Sequence, residues 1–251
     1  MIGVEERGAV AVVRLDHGKV NVLDLELLVA LTDTMRGLAD GPAVVLTGTG
    51  SAFSAGVDLR RIVAEGPRYV RDFLPALSAA FLAVFDHPRP VVAAVNGHAI
   101  AGGCIIAAAC DVRLMSAGTI GLTELLVGVP FPTAALEIMR FAVGTAAPAL
   151  ALTGRVLAPE EAARIGLVDA VVAPADLLDH AVRRAEELAR LPAVAYALTK
   201  EQLHRPARDR IDERAPVDDP RAVEMWEGDA GRAAIAGYLD RLGERRRAGG
   251  A

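Results

Sequence analysis

Aromatic residues and cysteines are scarce in this sequence. Only 4% of the 251 residues are Phe, Trp or Tyr, although 53% are hydrophobic. A chain of this length can bury a large core, in one sizeable domain or in a core with a small appendage. The two cysteines, Cys104 and Cys110, would lie about 9 Å apart on one helix, which is beyond disulfide reach. They also lack the partners of a zinc site, so their use predicts a reducing, cytoplasmic compartment.

An excess of positive charge is also lacking. Charged residues make up 24% of the chain, as in ordinary globular proteins, and the formal net charge is -5. We therefore expect no nucleic-acid partner. The basic residues that cluster near the end, Arg241, Arg245, Arg246 and Arg247, are expected to form a solvated terminus. The first ten residues, MIGVEERGAV, carry charges where a secretory signal would be apolar, so no signal is expected.

One uncharged run is long enough to cross a membrane. It extends over twenty residues, from Val91 to Cys110. Its middle is interrupted by Asn96, His98 and several glycines, which favour a strand followed by a glycine turn. We therefore predict a buried segment of a protein without a membrane partner.

The remaining pattern alternates strands and helices. A helix is expected from its N-cap Asp24 to about Asp40, a mostly helical stretch ends near Phe85, and a glycine-opened helix covers 102–109. This rhythm predicts an α/β core over residues 1–190, followed by a C-terminal helical region over 191–251. After Pro174 three helices are expected, with a break at Pro216–Pro220. The predicted strands are Ala9–Leu15, Ala43–Gly48, Pro90–Val95, Asp111–Met115 and a short one within Leu167–Val172.

Two glycine-bearing turns follow predicted strands, at Ser54–Leu59 and at Asn96–Cys104. Backbone N–H groups are unsatisfied where a strand opens into a helix, and glycine lets a ligand approach them closely. Two such groups that converge on one carbonyl oxygen would form an oxyanion hole, worth about 3 kcal/mol per donor in the transition state. A tight turn that needs small residues would look the same, so both interpretations stay open here.

Glu124 lies in an otherwise apolar run, IGLTELLVG. Leu122, Leu125 and Leu126 would desolvate its carboxylate, and desolvation would raise the pKa of Glu124 and make it a base near neutral pH. A glutamate at a helix start that points to solvent is the alternative.

Other polar residues are explained by structure as readily as by chemistry. His98 could transfer protons or simply stabilise its turn, Asp111 suits a strand start, and Asp58 suits a local cap. Three cations could meet ligand phosphates or lie on the surface: Lys19, Arg60 and Arg61. The sequence contains no GxGxxG, Walker, GxSxG or HExxH motif.

Four ordered segments resemble the crotonase family, also called the enoyl-CoA hydratase/isomerase superfamily. The segments are Val44–Leu59, Arg89–Leu114, Thr123–Pro132 and Ala151–Val172, and the resemblance spans nearly the whole chain. It implies a spiral of ββα turns followed by a C-terminal helical trimerisation region. The protein would then be a homotrimer or a hexamer.

The resemblance also implies the roles of particular residues. Glu124 would be the catalytic acid and base, and the backbone N–H groups of Val57 and Gly102 would be the oxyanion donors. The substrate-binding residues would be Ala55, Gly56, Asp58, Leu59 and Gly103. No metal or redox cofactor is implied, because CoA arrives as part of the acyl-CoA substrate.

Departures from the family pattern favour one reaction. Hydratases use a second glutamate directly after the glycine turn, where this chain has Ile105. Allylic isomerisation needs only one base, so the resemblance predicts an isomerase that converts 3-enoyl-CoA to trans-2-enoyl-CoA. The Asn that precedes the glutamate in isomerases is replaced by Thr123. The alternatives are a hydratase with a rearranged site, in which Glu137 or another carboxylate acts, and a non-catalytic acyl-CoA-binding protein.

Overall fold

The structure is a computed structural model that describes residues 1–248. In chain order its strands are β1 (Ile2–Arg7), β2 (Val10–Leu15), β3 (Ala43–Gly48), β4 (Ala52–Ser54), β5 (Val91–Val95), β6 (His98–Ile100), β7 (Val112–Met115), β8 (Ile120–Gly121), β9 (Val156–Leu157) and β10 (Ala170–Val171). The side chains of Arg245, Arg246 and Arg247 lie outside the described part, so their predicted solvation is not addressed.

Eleven α-helices accompany these strands within the described residues. They are α1 (Leu25–Gly37), α2 (Leu59–Glu65), α3 (Pro67–Phe85), α4 (Gly102–Ala108), α5 (Glu124–Val127), α6 (Thr133–Val143), α7 (Ala147–Thr153), α8 (Pro159–Arg164), α9 (Leu177–Ala189), α10 (Ala193–Glu227) and α11 (Asp229–Ala248). A short 3₁₀ turn, Gly144–Ala146, separates α6 from α7.

The larger sheet has six strands in the order β1-β2-β3-β5-β7-β10. β2, β3, β5, β7 and β10 are parallel neighbours, and only β1 is antiparallel. Every residue of β3 and β5 is buried, as expected for strands covered on both faces. These strands were predicted because continuous apolar runs bounded by turns indicate buried strands.

Strand β1 was missing from the prediction. Four of its six residues are exposed, and it forms the edge of the sheet. It joins β2 through a hairpin in which Arg7 pairs with Val10 and Gly8 adopts a φ of 62°. An exposed edge strand with adjacent glutamates shows no apolar alternation, so only its pairing reveals it.

A second, four-stranded sheet has the order β4-β6-β8-β9. Successive chain segments give one strand to each sheet before a helix, namely β3 and β4, then β5 and β6, then β7 and β8. This is the predicted spiral of ββα turns. Strands β4 and β6 were missing from the prediction: β4 ends where the predicted turn at Ser54–Leu59 begins, and β6 lies inside the predicted turn at Asn96–Cys104. Strands of three residues are too short to show a periodic pattern.

Close backbone packing joins the two sheets. A Cβ at Gly97 would lie 2.1 Å from the carbonyl oxygen of Ser51, and one at Gly48 would lie 2.4 Å from that of Ala52. Only glycine fits where two backbones approach this closely. The glycines of this region therefore have a packing role as well as any role in ligand approach.

The C-terminal part contains three helices, as predicted, but the predicted break was wrong. Helix α10 continues through Pro216 and Pro220 and ends before Gly228. Tertiary contacts stabilise α10 along its length, because it packs on α6 and α3. Asp219 of α10 also caps the start of α6, because its Oδ1 accepts a hydrogen bond from the Thr133 nitrogen at 2.8 Å. Proline disfavours a helix interior, but packing overrides that local preference here.

The uncharged run from Val91 to Cys110 is a buried segment, as predicted. It forms β5, β6 and α4, and the residues of α4 are all buried. A different stretch, Thr133–Thr153, is long and apolar enough to cross a membrane by length and composition alone, with a mean hydropathy of 1.4. It is divided between α6 and α7, and α6 buries one face in the protein, as core helices also do.

Candidate active site

A cavity of about 670 Å³ lies where the two glycine turns meet helices α5 and α11. One wall comes from Lys19, Val20, Val22, Ala55 and residues 57–60, and a second from Ile100, Ala101 and α5. The third wall comes from the end of α10 and from α11: Trp226, Tyr238, Leu239, Leu242 and Gly243. Another concavity of about 520 Å³, between β7, β10 and α9, contains none of the predicted site residues.

The first glycine turn is fixed by backbone bonds to the segment before α1. The Ala55 nitrogen donates to the Val20 oxygen at 3.0 Å, and the Asp58 nitrogen donates to the Leu23 oxygen at 2.9 Å. The N–H of Val57 lies between these bonds and donates to no protein acceptor within residues 1–248. Val57 lines the cavity, so its N–H is available to a ligand there.

The second turn leads from β6 into α4. Gly102 is the first residue of α4, so its N–H has no acceptor inside the helix. The preceding Ala101 holds φ 53° and ψ -120°, a conformation that L-residues rarely adopt. A Cβ at Gly102 would lie 2.7 Å from Cδ1 of Leu23. Strain and close packing of this kind are typical of functional sites.

The structure brings the two turns into direct contact. A Cβ at Gly56, whose φ is 83°, would lie 2.7 Å from the carbonyl oxygen of Ile100. A Cβ at Gly103 would lie 2.4 Å from the carbonyl oxygen of Ser54. Larger residues would separate the turns, and the N–H groups of Val57 and Gly102 would then be separated as well.

Glu124 is the first residue of α5 and lines the same cavity. Its Oε2 is buried without a hydrogen-bond partner in the described protein. Burial raises the pKa of Glu124 to about 8, although the backbone N–H groups of Glu124 and Thr123 favour the charged form and offset part of the shift. The carboxyl group is therefore poised to exchange protons near neutral pH.

The predicted source of this desolvation was only partly right. Leu122 is fully buried, but Leu125 and Leu126 are 43% and 53% exposed. In a helix, residues that follow directly on a given position face other directions, so Leu125 and Leu126 do not cover Glu124. Val127, Val129 and residues of α11 line the same cavity as Glu124.

Among the described residues, the only other carboxylate that lines the cavity is Asp58. It caps α2, as predicted, by accepting bonds from the nitrogens of Arg60 and Arg61 at 3.1 and 3.2 Å. Ile105 is fully buried and does not line the cavity. Glu137 lies elsewhere, buried on α6 in ion pairs with Arg140 and Arg210. It is not a replacement for the missing glutamate.

The three predicted phosphate contacts divide into two groups. Lys19 and Arg60 are exposed and line the cavity, so both are free to meet a ligand. Arg61 is held in ion pairs with Glu26 and Glu65 and lies over the ring of Tyr69 at 4.8 Å. Arg61 therefore has a structural role.

Two further candidates are structural. The Nδ1 atom of His98 lies 3.0 Å from the hydroxyl of Thr119, outside the cavity. Asp111 accepts a bond from the Val91 nitrogen at 2.8 Å and pairs with Lys200 at 2.8 Å. It stabilises the strand starts, as predicted. Within residues 1–248, no three His, Cys, Asp or Glu side chains come together as they would to hold a metal ion.

Sequence reasoning missed the contribution of the C-terminal helices to the cavity. Ile235, Leu239 and Leu242 recur at helical spacing, and this apolar stripe indicates a helix that packs through one face. Ile235 is fully buried in the core of the same chain, and Leu239 and Leu242 line the cavity. Periodicity predicts that one face of a helix is buried, but it does not identify the segment or subunit against which that face packs.

Comparison with known proteins agrees with this architecture. The chain matches the enoyl-CoA hydratase/isomerase family over residues 5–243. A Thermus thermophilus protein provisionally named an enoyl-CoA hydratase is 38% identical over 206 residues, covering 79% of this chain and 81% of its own. Human mitochondrial enoyl-CoA delta isomerase 1 is 28% identical over 245 residues, covering 94% of this chain and 81% of its own.

A crystal structure of human mitochondrial delta3-delta2-enoyl-CoA isomerase superimposes with a TM-score of 0.91 at 28% identity. The match covers 97% of this chain and 98% of that one. A spiral of ββα turns with two glycine turns facing a buried carboxylate defines a crotonase-like enzyme. The chain belongs to the enoyl-CoA hydratase/isomerase family.

Proposed function

We propose that the protein isomerises 3-enoyl-CoA to trans-2-enoyl-CoA with Glu124 as its single acid and base. One observation carries this proposal. Of the two carboxylates that line the cavity within the described residues, Asp58 is engaged in capping α2, and Glu124 alone has a buried oxygen without a partner. Isomerisation needs one such group, whereas hydration needs a further group to orient water.

In this mechanism Glu124 removes a proton from C2 of the substrate. The electrons of the C2–H bond form a C1–C2 double bond and the thioester C=O electrons move onto its oxygen, which gives a dienolate conjugated with the C3–C4 double bond. The N–H groups of Val57 and Gly102 donate to that oxygen and stabilise the developing charge. Protonated Glu124 then returns its proton to C4, and the double bond rests between C2 and C3. No atom is gained or lost overall.

The CoA part of the substrate would lie along the first glycine turn. This turn contains Ala55, Gly56, Asp58 and Leu59, and Gly103 packs behind it. The small residues Ala55 and Gly56 would let the CoA arm of the substrate approach the backbone closely. Lys19 and Arg60 supply positive charge beside it for the phosphates. No metal or redox cofactor is needed in this proposal, because every step is a proton transfer.

A hydratase is the second candidate, and one observation favours it. The relative that is 38% identical is provisionally named a hydratase. In this case the attacking water would need an orienting group other than Ile105 or Glu137, because neither lines the cavity. A binding protein without turnover is disfavoured, since binding alone does not need a buried carboxylate that destabilises the fold.

Separate incubations with 3-hexenoyl-CoA and trans-2-hexenoyl-CoA test the proposal. We expect the first substrate to become 2-hexenoyl-CoA without a change in mass and the second to gain no water at a comparable rate. Mass spectrometry and absorbance of the conjugated thioester follow both reactions. Faster formation of 3-hydroxyhexanoyl-CoA than of the isomer would establish the hydratase instead.

A further inference from the structure

One wall of the cavity carries charged side chains, and another is apolar. Lys19, Asp58 and Arg60 stand on the wall formed by the first glycine turn. Val127 and Val129, which are 5% and 2% exposed, stand on the wall that follows Glu124. The apolar wall is suited to a hydrocarbon chain, because it has no charge to desolvate.

Trp226 lies at this apolar end and is only 2% exposed. Its indole nitrogen donates to the carbonyl oxygen of Pro130 at 2.9 Å, and Pro130 directly follows Val129. This bond holds the indole against the segment that leaves α5. The aromatic ring is therefore a fixed part of the wall.

A tight elbow keeps Trp226 and α11 in place. A Cβ at Gly231 would lie 1.8 Å from the carbonyl oxygen of Met225, so α11 can turn back over the end of α10 only with glycine there. Ala234 of α11 packs beside Gly128, because a Cβ built on Gly128 would lie 2.7 Å from the Cβ of Ala234. Tyr238 and Leu239 cover the cavity from the next turns of α11.

The acyl compartment is the part of the cavity lined by Val127, Val129 and Trp226. We propose that Trp226 closes this compartment and limits the length of the acyl chain that the enzyme accepts. The inference rests on the proposed function, because it assumes that the thioester lies between Val57, Gly102 and Glu124. A chain that leaves the thioester and follows the apolar wall past Val127 reaches the indole. Chains longer than this distance cannot extend without displacing a buried aromatic ring.

Trp226 is the only tryptophan of the sequence, so its fluorescence reports on this contact directly. Bromine quenches indole fluorescence when the two touch. We expect saturating 8-bromooctanoyl-CoA to quench the emission strongly relative to octanoyl-CoA, and free CoA to have no such effect. Calorimetry measures binding in the same samples.

The outcomes separate the two proposals. Brominated acyl-CoA that binds but quenches no more than its unbrominated counterpart, at six or eight carbons, overturns the role of Trp226 alone. Acyl-CoA that does not bind at all overturns the proposed function together with this inference. Quenching without isomerase turnover supports the compartment and leaves the reaction to be reassigned.

Substitutions test the length limit in both directions. Trp226→Leu should raise the affinity for dodecanoyl-CoA relative to hexanoyl-CoA by about tenfold, because space for a few more methylene groups opens. Val127→Phe should lower the same ratio by filling the compartment. Met225→Ala is the matched control, since Met225 is adjacent but exposed and does not line the cavity. An unchanged ratio in folded Trp226→Leu and Val127→Phe proteins would contradict the proposal.

Discussion

At the scale of single residues, Glu124 shows how a short helix can hold a reactive carboxyl group. Helix α5 has four residues, and its N-cap Thr123 makes no side-chain capping bond. The backbone N–H groups of Thr123 and Glu124 stabilise the carboxylate in part, but its Oε2 is buried without a hydrogen-bond partner in the described protein. A buried carboxyl oxygen without a partner destabilises the folded protein, which is a common feature of catalytic positions.

Glu124→Gln should remove nearly all isomerase turnover and leave acyl-CoA binding intact. The amide keeps the shape of the side chain but cannot accept the C2 proton, so we expect kcat to fall by about 10²–10⁴-fold. Steady-state rates with 3-hexenoyl-CoA and calorimetric titration with octanoyl-CoA measure the two properties. Glu160→Gln, an exposed position on α8, is the matched control. Retention of more than about a tenth of the rate would refute the single-base mechanism.

The pH dependence of isomerisation should follow the ionisation of Glu124. Only the deprotonated carboxylate removes a proton, and burial raises its pKa to about 8 in the free enzyme. We therefore expect kcat/KM to rise with pH through the neutral range and to level off above about 8. A pH profile that is already flat from pH 5 upward would mean that the carboxylate is far less desolvated than the structure indicates.

At the scale of elements, the contacts between α6 and α10 explain why a proline-containing helix continues. The α6 residue Glu137 pairs with Arg210 of α10 at 2.5 Å, and Asp219 of α10 bonds to the start of α6. Helix α10 thus neutralises the charge of Glu137 and caps the first residue of α6, at positions several turns apart. Such contacts are absent from any local sequence window, which is why the predicted break at Pro216–Pro220 failed.

Asp219→Ala should destabilise the protein by about 0.5–2 kcal/mol, as loss of a helix cap does. Asp219 Oδ1 accepts bonds from both the nitrogen and the hydroxyl of Thr133, at 2.8 and 2.7 Å. Urea unfolding followed by circular dichroism gives the change in free energy. Asp218→Ala is the control, because Asp218 is exposed and makes only a distant pair with Arg221. Equal stability of the two variants would show that the cap contributes nothing.

At the scale of the whole molecule, one chain supplies every wall of the cavity within the described residues. Large apolar side chains nevertheless remain exposed on α10, notably Val194, Leu198 and Leu203 at 83%, 52% and 62%. Exposed apolar patches commonly mark protein interfaces, which supports the proposed assembly.

We propose that the protein assembles as a homotrimer or hexamer in the cytoplasm. Light scattering coupled to size exclusion should give a mass of about three or six chains at micromolar concentration. Leu198→Glu should shift this mass toward one chain, because a charge in an apolar interface is costly. A monomer mass for the unaltered protein would rule out the proposed assembly.

The sequence by itself determined the parts of this protein that local patterns encode. Continuous apolar runs predicted β3 and β5, the Asp24 side chain predicted the start of α1, and the glycine turns predicted where two loops open into helices. Each of these depends on residues a few positions apart, so a short window contains the whole signal. The resemblance to the family then predicted the fold class.

Only the tertiary structure decided what distant segments do together. The short strands β4 and β6 exist through their pairing, and α10 continues because it packs on α6 and caps the start of that helix with Asp219. Leu125 and Leu126 face outward, whereas Trp226 and Tyr238 reach the cavity from more than a hundred residues after Glu124. The pKa of Glu124 and the depth of the acyl compartment arise from such long-range packing, because desolvation depends on every neighbour in space and not on neighbours in sequence.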